Sequence, residues 1–171
     1  MKKIIVIGCP GSGKTTFALK LCNITGLPLI HLDSIWHRAD KTHISREEFD
    51  ARLSEMLSRD SWIIDGNYSR TIERRLAACD TVFLFDIPTA DCLEGAASRI
   101  GKQSPDMPWV DSELSSALKV EIEEFKDKKL PQIYHLLEKY NDGKTVVVFK
   151  SRKEADDFLT RTAFTKRGRK A

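Results

Sequence analysis

Long apolar runs are missing from this chain. The one that follows Met1-Lys2-Lys3 lasts four residues, Ile4 to Ile7, before Gly8 stops it. A membrane span needs about 18 and a signal peptide needs a longer apolar region with a cleavage site, so a cytoplasmic location is expected. Paired cysteines are missing too. Cys9, Cys22, Cys79 and Cys92 show no zinc-knuckle spacing, and all four are read as reduced thiols. His31, His37 and His43 recur at six-residue intervals, which does not make a metal triad. Nor is there a basic body. Residues 161–171 carry Arg161, Lys166, Arg167, Arg169 and Lys170 and no acid; removing these five from the 28 basic residues leaves 23 against 25 acids. A nucleic-acid-binding body shows a basic excess, so any nucleic-acid contact would rest on the tail, set here at 165–171.

What remains is ordinary for a globular protein: 171 residues, 41% hydrophobic and 31% charged. That is one domain's worth of chain, with core enough to fold without staples. Short apolar runs occur at Lys3–Ile7, Pro28–His31, Trp62–Ile64, Thr81–Phe85 and Thr145–Phe149. They are rich in Val, Ile and Phe with little polar alternation, which predicts strands buried on both faces. Helical patterns separate them: Lys14–Asn23, Ser45–Arg59 (Ser45 and Glu48 forming a capping box), Ser69–Ala78, Thr89–Ile100, Asp111–Tyr140 and Arg152–Thr162. Pro131 should break or kink the long segment. Five strand–helix alternations predict an α/β fold, a parallel sheet with helices on both faces. Residues 100–112 lack periodicity and hold Gly101, Pro105 and Pro108; they are read as a loop or lid.

Gly8-Cys9-Pro10-Gly11-Ser12-Gly13-Lys14-Thr15 fits the phosphate-binding P-loop, between an apolar strand and a helical pattern. Glycines let successive N–H groups turn inward on a phosphate, and the helix N-terminus adds partial positive charge. Lys14 supplies a full charge to the β- and γ-phosphates, and the Thr15 hydroxyl ligates Mg²⁺. Small size leaves little room for motor appendages, and no Asn-Lys-x-Asp guanine-reading motif is present. A small kinase is the favoured class.

Three groups of residues then become candidates. Asp33 is placed at the end of the second strand, where ligands of open sheets gather; it would orient or deprotonate an acceptor hydroxyl, with Trp36 nearby against the ligand. Asp65 ends the third strand as a Walker-B-type acid does, holding Mg²⁺ through water, and Gly66 and Asn67 follow it at the acceptor. Asp86 is a rival acid, though Pro88 suits a helix start. Arg70, Arg74 and Arg75 crowd the next helix, where guanidinium groups suit anion recognition. Arg99 stands at the mouth of the lid, as an arginine finger would. Asp33 argues for a hydroxyl acceptor and the arginines for a phosphate, and both stay open.

The stretches GCPGSGKTT, HLDSIWH, WIIDGNYSRT, FLFDIP, SPDM and VVVFKSRKEADDFL together resemble, in order over about residues 3–159, the adenylate-kinase-related family called DNA topology modulation protein, of the FlaR type. The resemblance implies a three-layer P-loop NTPase with a five-stranded parallel sheet of nucleoside-monophosphate-kinase type and a short lid. It implies ATP at Gly8 to Thr16, and an adenine-side loop at Ser151, Arg152 and Lys153; from the residues themselves, Ser151 with Glu154 three on reads equally as the cap of the Arg152–Thr162 helix. The expected function is transfer of the γ-phosphoryl of ATP·Mg to a small acceptor, either a nucleotide, a nucleoside or a hydroxylated metabolite. The alternatives are a nucleotide-dependent regulator of DNA topology and a non-catalytic nucleotide sensor.

Overall fold

A computed structural model describes residues 1–168, with side chains through Thr165; except for Thr165, the side chains of the basic tail fall outside the described residues. Five parallel strands form one sheet: β1 (Lys3–Gly8), β2 (Leu29–His31), β3 (Trp62–Asp65), β4 (Thr81–Phe85) and β5 (Thr145–Phe149), in the order β2-β3-β1-β4-β5. Each apolar run predicted as a strand is one. β1 is central because it is the most apolar: Ile4 to Ile7 are fully buried between β3 and β4. Burial on both faces holds for β1, β3 and β4 only. β2 and β5 are edges, so most of their residues stay half-exposed.

The helices are α1 (Lys14–Thr25), α2 (Leu32–Trp36), α3 (Arg46–Ser58), α4 (Ile72–Ala78), α5 (Thr89–Ala97), α6 (Ser116–Glu124), α7 (Leu130–Lys139) and α8 (Arg152–Gly168). Ser45 caps α3 by accepting from the Glu48 N–H at 3.1 Å, as the capping box predicts. The long helical segment neither breaks nor ends at Pro131. A π-turn, Phe125–Lys129, joins α6 to α7, and the Leu130 N–H returns to the Phe125 carbonyl five residues back. Pro131 then falls in the first turn of α7, where its missing N–H leaves no bond unmade.

Phe17 of α1 locks one face. Its ring meets Phe83, Phe85 and Phe149 at 4.9–5.3 Å and Phe158 of α8 at 6.3 Å. Burying a ring of this size contributes about 1.5–3 kcal/mol, and tilted aromatic pairs add roughly 0.5–1.5 kcal/mol each. The cluster fixes α1, and with it the loop before α1, against the sheet. Parallel strands all end on the same side, so the loops after β1, β2 and β3 open onto one crevice.

Candidate active site

The loop between β1 and α1 needs its glycines. Gly8, Gly11 and Gly13 have φ of 140°, 76° and 103°, a region L side chains avoid. Gly11 also has no room: a Cβ there would meet the Cys92 carbonyl oxygen of α5. Gly95 makes the same seam from the other side, since its Cβ would meet the Gly11 carbonyl and the Arg152 guanidinium. Arg152 closes the seam, donating to the Gly11 carbonyl at 3.1 Å and to the Asp91 carbonyl. The Gly8 N–H donates to Asn67 Oδ1 at 3.0 Å, which ties this loop to the one after β3.

Lys14 is buried and donates from Nζ to the Cys9 carbonyl at 2.8 Å. Burial lowers the affinity of its ammonium for the proton, and the Asp65 charge opposes that. The Thr15 hydroxyl lies 2.9 Å from Asp65 Oδ2 and 2.9 Å from Asp106 Oδ2. A hydroxyl has one hydrogen and donates to one of them, so this knot holds one acceptor too many. His31 Nδ1 stands 3.0 Å from Asp65 Oδ2. Burial works against the imidazolium, but the hydrogen bond and charge of Asp65 prevail and raise its pKa. Four buried side-chain atoms have no hydrogen-bond partner among the described residues, Ser12 Oγ, Trp62 Nε1, Asp65 Oδ1 and Arg75 Nε, and two of them, Ser12 Oγ and Asp65 Oδ1, belong to residues of this site.

Asp33 does not end β2. It sits in the first turn of α2, a helix too short to show a period, where the Tyr68 hydroxyl donates to it at 2.8 Å. Burial raises its pKa; Tyr68 opposes this, and Asp106 and Asp65 add to it. Asp106 is 4% exposed and stays low in pKa: burial acts against its charge, but Ser104, Thr15 and Arg99 outweigh that. It belongs to the 100–112 stretch, which does fold over the P-loop. Ser34 Oγ donates to the Asp106 carbonyl at 3.0 Å, and the Gly101 N–H to the Asp111 carbonyl at 2.8 Å. Arg99 Nη1 lies 3.9 Å from Asp106 Oδ2.

Two cavities meet here. The larger, about 550 Å³, is lined by Pro10, Gly11, Lys14, Thr15, Asp33, Asp65, Gly66, Asn67, Arg99 and Asp106, and then by α6 and α7. The second, about 400 Å³, is lined by Gly13, Thr16, Lys20, Lys102 and Arg152, and shares Gly11, Thr15 and Arg99 with the first.

Four expected contacts are not where the residue types suggested. Arg75 is fully buried and lines neither cavity. It donates to the Gly66 carbonyl at 2.7 Å, to the Asn67 carbonyl and to the Tyr68 carbonyl at 3.2 Å. Burial pushes its guanidinium down to about 10, still charged at neutral pH. Arg70 turns outward and grips Asp50 of α3 with both Nη atoms, at 2.7 and 2.8 Å, while Arg74 bonds Ser54 Oγ at 2.6 Å. Trp36 stacks on His43 at 4.5 Å and edges Phe49 and Tyr68; Trp109 is the indole that lines the larger cavity. Ser151 caps α8 by accepting from the Glu154 N–H at 3.2 Å. The rival acid Asp86 accepts from Tyr134 at 2.7 Å and from Lys150, away from both cavities. Among the described residues no three His, Cys, Asp or Glu side chains form a metal cage, and no helix is long and apolar enough to cross a membrane.

No protein-family model matches the chain. Curated relatives are adenylate kinases: 28% identical over 102 residues to that of Thermotoga maritima (56% of this chain, 46% of the relative), and 30% over 88 residues to that of Thermotoga petrophila (50% and 39%). That of Shouchella clausii is 30% identical over 107 residues (58% and 48%). The chain thus spans less than half the length of these relatives. Among solved structures, the fold is similar to a shikimate kinase from Acinetobacter baumannii in complex with shikimate. That match has 17% identity and a TM-score of 0.60, covering 94% of this chain and 90% of that one. It is also similar to a gluconokinase from Sinorhizobium meliloti, with 16% identity and a TM-score of 0.53, covering 99% and 98%. The fold is that of the P-loop kinases, a three-layer α/β architecture on a five-stranded parallel sheet.

Proposed function

We propose that this chain is a phosphotransferase that moves the γ-phosphoryl group of ATP to a small acceptor. One observation carries the reading: Lys14 and Thr15 of the P-loop share a cavity with two acids, Asp65 at the C-terminal end of β3 and Asp33 in the first turn of α2, just after β2. The curated relatives are adenylate kinases rather than DNA topology modulation proteins, and it is the broader kinase relation that supports this reading.

ATP fits the residues present. Ser12 Oγ is a buried hydroxyl with its hydrogen to give, and the curled loop supplies N–H groups beside it. Gly13, Thr16 and Arg152 would take the nucleoside side, along the second cavity. Mg²⁺ fits as well, because it is held by one or two carboxylates plus substrate phosphates rather than by a cage. Asp65 brings an oxygen with no partner, and the acceptor surplus at Thr15 calls for a cation. Thr15, Asp65 and Asp106 would hold the ion, which supplies charge neutralisation between the β- and γ-phosphates. Lys14 releases the Cys9 carbonyl to meet the phosphate, Arg99 faces the transferring group from the lid root, and the docked lid excludes water.

The test is transfer of label from γ-labelled ATP with Mg²⁺ to a panel of nucleoside monophosphates, nucleosides and hydroxylated metabolites. Label should move to at least one acceptor and fail to move with Lys14→Ala. ATP binding without transfer to any acceptor would overturn the kinase reading in favour of a nucleotide sensor.

A further inference from the structure

Resting on the kinase reading, the larger cavity says what kind of acceptor it takes. A phosphate or carboxylate acceptor is gripped by arginine forks. Every arginine on the acceptor side is committed elsewhere: Arg70 and Arg74 to α3, Arg75 to three backbone carbonyls. The cations that do line the cavity are Lys14, Arg99, Lys102 and Lys129. Lys14 belongs to the P-loop, and Arg99 and Lys102 are shared with the second cavity, which leaves Lys129 alone at the acceptor end. Against it stand Asp33, Asp111, Glu113 and Glu121. Apolar side chains line the same cavity: Ile72 of α4, Leu118 of α6, Phe125 of the π-turn, and Ile133 and Leu136 of α7, with Trp109 at the lid. An anion placed beside these acids would meet net negative charge, and the one guanidinium lining the cavity, Arg99, is shared with the second cavity.

We propose that the acceptor is an alcohol with an apolar body and no phosphate or carboxylate, either uncharged or bearing an amine. Asp33 faces its hydroxyl. In the transfer, the acceptor oxygen forms a bond to the γ-phosphorus as the bond from that phosphorus to the bridging oxygen of ATP breaks. The hydroxyl proton passes to the Asp33 carboxylate, and the electron pair leaves with ADP. Tyr68 holds Asp33 by its hydroxyl and so positions it.

The experiment pairs each neutral or aminated alcohol with an anionic analogue, with γ-labelled ATP and Mg²⁺: adenosine against its 5′-monophosphate, an aryl-alkyl alcohol and an aryl amino alcohol against an aryl hydroxy acid, with shikimate as a further hydroxylated carboxylate. The kcat/KM of the uncharged or aminated member should exceed that of its anionic partner at least tenfold, and Asp33→Asn should lower kcat at least tenfold with KM changed less. Preference for the anionic members, with label still moving, would overturn this inference and leave the kinase reading standing. No transfer to any member would overturn the kinase reading and this inference with it. Glu121→Lys adds a second measure: it should raise kcat/KM for the anionic members relative to the neutral ones, and an unchanged ratio would count against the proposed charge selection.

Discussion

The Thr15 hydroxyl and the Asp106 carboxylate meet at 2.9 Å although 91 positions separate them in the chain. The contact docks the lid on the P-loop and puts a second acid beside Asp65. Two carboxylates around one hydroxyl leave an acceptor surplus that a divalent ion would relieve. Replacing Asp106 by Asn should therefore raise the Mg²⁺ concentration needed for half-maximal ATP-dependent thermal stabilisation by roughly tenfold, the scale seen when a partner of a metal site is removed. A midpoint that does not move would exclude Asp106 from the ion's surroundings.

Gly95 is the position at which α5 admits the P-loop. Gly95→Ala drives a methyl group into the Gly11 carbonyl and the Arg152 guanidinium, and the loop must retreat from its phosphate-binding shape. Nucleotide affinity should weaken about tenfold or more, equivalent to at least about 1.4 kcal/mol. Calorimetric titration with ATP·Mg measures it, and an unaltered Kd would show that the seam tolerates the shift.

Arg75 is a stability residue. Arg75→Met keeps the bulk but strips three carbonyls of their donor in the interior. A buried acceptor left without its donor costs about 1–3 kcal/mol, and with three carbonyls affected, at about 2–4 °C per kcal/mol for a chain this long, Tm should fall by roughly 10 °C. A melt within a degree or two of the parent would show that the loop holds itself.

His31 sets a pH dependence. Its folded pKa is raised above the ordinary value near 6.5, because the hydrogen bond and charge of Asp65 outweigh burial. The stability it contributes is then complete below that ordinary value and disappears as pH rises through the raised one. In chelator-treated protein, the Tm advantage over His31→Asn should be larger at pH 6 than at pH 8.5. An advantage that is flat or that grows with pH would be inconsistent with a proton held toward Asp65.

What was legible in the sequence was whatever is local. The P-loop is contiguous, and each strand announces itself through a short run of two to four consecutive apolar residues; both are placed within a residue or two. Asp106 carries no local mark. It lies in a stretch without periodicity, between Pro105 and Pro108, and gains its place only when the lid docks. Arg75 misled for the opposite reason. Beside Arg74 it looks like half of a solvent-facing fork, and only the turn from Ser69–Thr71 into α4 rotates one of the pair inward. Trp109 rather than Trp36 lines the cavity, because the choice between core and cavity depends on where α3 and the lid pack, which composition does not encode. α2 holds a single turn, below the length at which a period can be read.

The three groups that Arg75 grips are all main-chain oxygens. A clamp of that kind does not depend on which side chains the clamped segment carries. Residues 66–68 line the larger cavity, yet their path does not depend on the other side chains that line it. Exchanges at Ile72, Leu118 or Ile133 can redraw what the cavity accepts while leaving this clamp in place. On the proposed kinase reading, the residues that hold the loop's path and those that would choose the acceptor are different ones.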